Sequence, residues 1–235
     1  MTKITKRIER IALYTELAGV RVKENGDVFV PIDTSVLSCG YRSEMADTSD
    51  LFGKIIPVRK KVYEMLLEAQ KELREINPNL RLHITYGYRS MKIQTKKFLE
   101  ILKEKSSVFY SDPVNLYQKV HELIAVPDVA GHPTGGAVDL IIVDKNDDSL
   151  DFGSKQYDFS TNDCYVFSRN ISEKSKRNRQ LLRECMTDVG FAAYDGEWWH
   201  FSYGDKEWAF LTGKKYAKYK QISVRKVRDY LNGKI

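Results

Sequence analysis

The chain has 235 residues, long enough for one domain with a substantial core, while two full domains would be cramped. Hydrophobic residues make up 42% and charged residues 30%, a globular balance that excludes a fibrous or wholly disordered chain. No run approaches the roughly 20 apolar residues of a membrane helix. The formal net charge is +6, and much of it lies between Lys214 and Lys234. That segment could touch nucleic acid or an anionic surface. The plainer reading is a solvated face anchored through Tyr216, Tyr219, Ile222, Val224 and Val227, so nucleic acid is not the expected partner.

The N-terminus, Met-Thr-Lys-Ile-Thr-Lys-Arg-Ile-Glu-Arg, is charged where a signal peptide needs its apolar segment. This argues against export by that route and for a cytoplasmic setting. Cys39, Cys164 and Cys185 are odd in number, widely spaced and without a Cys-x-x-Cys pair. They suit a reducing compartment and the role of buried structural thiols.

In chain order, residues 1–19 predict an amphipathic helix from Ile8, Ile11, Ala12, Leu13 and Leu17. An Asn25-Gly26 turn between Val20-Arg-Val22 and Val28-Phe-Val30 predicts a hairpin. Residues 1–27 are read as an N-terminal extension, helix and hairpin, of a main domain spanning 28–213, with 214–235 as a basic tail. The stretch 33–53 is irregular and polar with isolated anchors at Tyr41, Met45 and Phe52, and loops of this length often line sites. Pro57 is expected to open a helix in which Val58, Val62, Met65, Leu66, Ala69, Leu73 and Ile76 share one face, ended by Asn77-Pro78. Leu82, Ile84 and Tyr86 alternate with polar residues and predict a half-buried strand. Arg89 follows at a strand-to-helix junction, where a side chain can be aimed into a cleft; an ordinary surface arginine is the alternative.

A helix from about Met91, a connector over 103–112 and a short helix containing Leu116, Val120 and Leu123 come next. Ala137 to Val143 is an apolar run typical of a buried strand, and Asp139 lies inside it. A carboxylate there is costly unless it is paired or binds a metal; a backbone amide or an arginine partner is the alternative. A basic helix over about Glu173–Asp188 stops at Gly190. Phe191–Tyr194, the turn Asp195-Gly196 and Glu197–Tyr203 predict a further hairpin.

Two polar clusters stand out: Gly131-His132-Pro-Thr-Gly-Gly-Ala-Val-Asp139 and Gly196-Glu197-Trp-Trp-His200-Phe-Ser202. Of the four histidines, His83 sits between Leu82 and Ile84 without an acidic neighbour and reads as structural, and His121 on its helix reads as exposed. His132 and His200 remain, each near a carboxylate. Two histidines, an aspartate and a spare glutamate are the inventory of an open zinc site, with three protein ligands, one water and a base for its proton. Residues three apart on a regular strand face opposite ways. For Glu197 and His200 to serve one centre, the backbone between them must therefore be bulged, twisted or part of the turn.

The motifs His132-x-x-Gly-x-Ala-Val-Asp139, Glu197-Trp-Trp-His200 and Gly87-Tyr-Arg89-Ser, in that setting, closely resemble the D-alanyl-D-alanine dipeptidases, the VanX-like branch of the zinc D,D-peptidases. The resemblance runs from about Val28 to Tyr203 and includes Asp151-Phe-Gly-Ser and Asn178-Arg-x-Leu-Leu. It implies an α+β fold, a single domain with a small central antiparallel sheet flanked by helices (Hedgehog/DD-peptidase-like). It also implies one Zn2+ per chain on His132, Asp139 and His200, with Glu197 as catalytic base and Arg89 stabilising the transition state. The implied substrate is D-Ala-D-Ala or a similar small cell-wall dipeptide. A carboxypeptidase or endopeptidase acting on longer peptidoglycan peptides and a non-catalytic zinc-containing binding module are the alternatives. Gly131 departs from the family pattern, which usually has a serine there.

Overall fold

A computed structural model describes residues 11–106 and 112–235. The chain runs α1 (Tyr14–Ala18), β1 (Arg21–Val22), β2 (Phe29–Pro31), β3 (Ser38–Cys39), α2 (Ala46–Phe52), β4 (Pro57–Arg59), α3 (Lys60–Ile76), β5 (Arg81–Tyr86) and α4 (Met91–Ser106). It continues with α5 (Pro113–His121), β6 (Ala137–Val143), α6 (Glu173–Asp188), β7 (Ala192–Ala193), β8 (His200–Ser202), α7 (Lys206–Leu211), β9 (Tyr216–Ala217) and α8 (Val224–Leu231). The expected α+β arrangement is present. A five-stranded sheet of order β3-β5-β6-β8-β7 is antiparallel throughout except for the parallel edge strand β3.

α3 buries the stripe that its periodicity predicted, with Val62, Met65, Leu66, Ala69 and Leu73 all inside. It packs against α6 and β5. The seven residues of β6 are buried without exception, as befits the sheet's central strand. Trp198 and Trp199 belong to the same core: Trp198 stacks on Phe152 with ring centroids 4.2 Å apart, and Trp199 is fully buried.

Two local expectations are corrected. Val20–Val22 and Val28–Val30 do not pair with each other. β1 pairs in parallel with β9 from the C-terminal region, and β2 pairs with β4. The expected Asn25-Gly26 turn does not form either: residues 23–28 run as an irregular link between two different sheets, with the Lys23 and Asn25 N–H groups donating to the Ala217 and Lys218 carbonyls and Gly26 at φ +80°. Pro57 likewise begins β4, and the helix starts at Lys60. Pairing with β2 over Phe29–Pro31 takes the three residues that helical periodicity alone would have assigned to α3. Of the expected N-terminal helix only Tyr14–Ala18 forms within the described residues; residues 1–10 lie outside them.

Tyr219, Ile222 and Val227 are buried, so the basic tail is anchored to the body. Arg59 is the pin. Its guanidinium lies 4.8 Å from the Phe29 ring and 4.7 Å from the Tyr219 ring, and donates to the carbonyls of Thr134 (2.8 Å), Lys220 (3.2 Å) and Asp27. Glu24 at 3.3 Å neutralises it. One fully buried cation thus ties the tail, β4 and the loop carrying His132 into one unit, at a position where leaving its charge unpaired would be very costly.

Candidate metal centre

The register of the central sheet builds the site. Tyr86 on β5 lies opposite Asp139 on β6, and Asp139 lies opposite His200 on β8. Directly opposed residues on neighbouring strands project to the same face, so Tyr86, Asp139 and His200 form a row across three strands. His132 reaches this row from a 3₁₀ turn, His132–Thr134, which ends at Gly135 with φ +75° just before β6. Only glycine takes that conformation at little cost.

The distances converge. His200 Nδ1 is 2.9 Å from Asp139 Oδ1, and His132 Nε2 is 3.4 Å from Asp139 Oδ2. One ligand atom from each of the three residues lies within 4.8 Å of the others. His132 Nδ1 is 2.8 Å from the Gly87 carbonyl. A carbonyl only accepts, so the proton sits on Nδ1 and the lone pair of Nε2 faces Asp139. Tyr157, which sequence reasoning missed, donates its hydroxyl to Asp139 Oδ2 at 2.9 Å. Its loop is held by Arg179, whose guanidinium donates to the carbonyls of Phe152 (2.7 Å), Tyr165 (2.6 Å) and Asp163 (2.6 Å).

These residues fit a zinc ion. Two imidazole nitrogens and a carboxylate are a zinc donor set, and ligands roughly 2.0–2.2 Å from one tetrahedral ion lie about 3.3–3.6 Å apart. The observed 3.4 Å matches, and 2.9 Å is close. The electrostatics agree. Burial opposes the charge on Asp139, yet the adjoining His132 and His200 hold its carboxyl well below the usual range. Burial likewise opposes a cationic His200, but the hydrogen bond and charge of Asp139, with Glu207 and Glu197 behind it, raise it to about 10. The cluster favours added positive charge.

Glu197 and Arg89 border the same space. The anticipated irregularity between Glu197 and His200 is present: Glu197 precedes the strand, and His200 N–H donates to the Glu197 carbonyl at 3.3 Å in a tight turn. Glu197 Oε2 therefore comes within 4.0 Å of His200 Nδ1. Burial pushes the Glu197 carboxyl up to about 8, against the pull of His200. Arg89 is 6% exposed, donates from Nε to the Tyr86 hydroxyl (3.1 Å) and from Nη1 to Gln94 Oε1 (2.8 Å), and lies over the Tyr86 ring. Among the described residues it forms no ion pair. Arg89, His132, Asp139, Glu197 and His200 all line one cavity of about 470 Å³.

The matching family model is that of the D-Ala-D-Ala dipeptidases, over residues 52–222. The chain belongs to this peptidase family. It is a metallopeptidase. It is 25% identical over 189 residues to a D-alanyl-D-alanine dipeptidase of Synechocystis sp., covering 71% of this chain and 76% of that one. It is 33% identical over 72 residues to the Escherichia coli D-alanyl-D-alanine dipeptidase, covering 31% of this chain and 37% of that one. Among solved structures it resembles the vancomycin-resistance D,D-pentapeptidase VanY in complex with Zn(II), with a TM-score of 0.41 and 15% identity over 85% of this chain and 96% of that one.

Two readings of the remaining histidines met different outcomes. His83 is a hydrogen-bonded structural residue, its Nδ1 2.7 Å from Ser38 Oγ. His121, expected at the surface, is 5% exposed, accepts from the Val126 N–H at 3.2 Å, and lines the cavity. Glu207, which no spacing motif marked, lines the cavity too. At Gly131 a Cβ would collide with Asp205 Oδ2, so any side chain there must displace that carboxylate.

Proposed function

We propose that the protein hydrolyses D-Ala-D-Ala or a similar small cell-wall dipeptide. One Zn2+ per chain is held by His132 Nε2, Asp139 and His200 Nδ1, Glu197 moves the proton, and Arg89 faces the developing oxyanion. The observation carrying this reading is the register that sets Asp139 beside His200 and within 3.4 Å of His132, on the cavity that Glu197 and Arg89 also line.

When bound, zinc supplies a Lewis acid and acidifies a water toward neutrality. Glu197 accepts the proton released as water attacks the peptide carbonyl and returns it to the leaving amine. Burial, which raises the Glu197 carboxyl above the usual carboxylate range, makes it a stronger proton acceptor than an exposed glutamate. Arg89 presents a fixed positive charge that Tyr86 and Gln94 keep from rotating. Such preorganisation stabilises charge in the transition state more than in the neutral substrate. Three free cysteines fit a cytoplasmic setting.

The test is release of D-alanine from D-Ala-D-Ala by the zinc-loaded protein. Glu197→Ala should retain zinc and lose turnover on the order of 10²–10⁴-fold. Equal turnover in both proteins contradicts the reading.

One observation favours the carboxypeptidase alternative. The cavity wall continues along α4 from Gln94 through Lys97 and Ile101 to Lys105, which at the helical rise is about 16 Å. An extended dipeptide spans at most about 7 Å. Faster cleavage of a stem pentapeptide than of D-Ala-D-Ala would favour the longer substrate.

A further inference from the structure

The two candidate histidine ligands are supported unequally. His132 is fixed from behind, since its far nitrogen Nδ1 is held by the Gly87 carbonyl at 2.8 Å. His200 has both ring nitrogens among acids. Nδ1 faces Asp139 at 2.9 Å, and Nε2 faces Glu207 Oε1 at 3.7 Å. If Nδ1 is the ligand atom, it must keep its lone pair, so the proton belongs on Nε2.

Glu207 is built to meet that proton. It stands in the first turn of α7, whose start is fixed by Asp205 accepting from the Trp208 N–H at 2.8 Å. Its side chain is 13% exposed, and Oε1 is buried without a hydrogen-bond partner among the described residues. A buried carboxylate oxygen with nothing to accept is destabilising, and His200 Nε2 stands 3.7 Å from it. The 3.7 Å separation exceeds hydrogen-bonding distance by well under 1 Å, an adjustment within reach of a side-chain rotation.

We propose that Glu207 is the positioning residue that holds His200 with its proton on Nε2 and its Nδ1 lone pair toward the metal. The inference rests on His132, Asp139 and His200 being the ligands. Glu207 takes no part in bond making or breaking. It sets the tautomer and orientation of the ring and makes the imidazole a stronger donor, a role for which carboxylates behind ligating histidines are suited.

The test is zinc affinity of the full-length holoprotein by chelator competition, for wild type, Glu207→Ala, Glu207→Gln and His200→Ala, together with ¹⁵N NMR of His200 in the zinc-loaded wild type. Glu207→Ala should bind zinc on the order of 10–100-fold more weakly. Glu207→Gln, whose amide oxygen can still accept from Nε2–H, should recover most of that loss. The NMR should find the His200 proton on Nε2. Wild-type affinity in Glu207→Ala alongside weakened His200→Ala would overturn the role of Glu207 and leave the ligand set intact. Wild-type affinity in His200→Ala would overturn the ligand set and Glu207's role with it. A His200 proton on Nδ1 overturns the proposal without any variant, even should Glu207→Ala fail to fold.

Discussion

Replacing His121 with asparagine should remove one defined part of the acid sensitivity of this fold. His121 accepts a hydrogen bond from the Val126 N–H through Nδ1 at 3.2 Å, and burial lowers its pKa from 6.5 to about 4. Between those values the unfolded chain binds a proton that the folded chain refuses. Stability from this residue is therefore complete above about pH 6.5 and is lost as pH falls toward 4. The interval from 6.5 to about 4, at roughly 1.36 kcal/mol per pH unit, amounts to about 3 kcal/mol. Asparagine presents an acceptor near the position of Nδ1 and does not titrate. Urea unfolding of both proteins at several pH values from 7 to 4 gives the comparison. The wild type should lose about 3 kcal/mol more than His121→Asn over that range. A stability difference that stays constant with pH would refute the reasoning, since it would mean His121 is not neutral and buried.

Two other substitutions probe the site and its support. Arg89→Lys keeps a positive charge but cannot reproduce both the Tyr86 and Gln94 contacts. Its kcat should fall on the order of 10²–10³-fold with zinc content unchanged, and an unaltered kcat would remove Arg89 from the reaction. Gly131→Ser drives a side chain into Asp205, which caps α7. It should cost about 1–3 kcal/mol, read as a lower thermal midpoint, and an unchanged midpoint would mean the contact relaxes freely.

How far the sequence carried can be judged residue by residue. Asp139 was legible because a carboxylate inside an apolar strand needs a partner, and its partners are the two histidines left after elimination. Glu197 was legible together with its difficulty, and the turn before β8 resolves that difficulty. α3 and β6 followed from periodicity and continuous apolarity, features local to the segment. What failed was non-local. β1 finds its partner nearly 200 residues away at Tyr216, a pairing that no turn residue encodes. His121 carries no mark of burial, because its environment is assembled by residues remote in sequence, among them the Tyr14 ring 6.3 Å away. Tyr157 and Glu207 reach the site from a loop and from a short helix without any spacing signal. Arg59 resembles a surface cation in sequence, although Phe29 and Tyr219 enclose it.

Anomalous diffraction at the zinc edge from crystals of the full-length protein tests the ligand set most directly. The account predicts one peak per chain, about 2.0–2.2 Å from His132 Nε2, an Asp139 carboxylate oxygen and His200 Nδ1, with Glu197 and Arg89 facing it across the cavity. A zinc-replete crystal with no peak among these three side chains, or with its peak at another group of ligands, would contradict it.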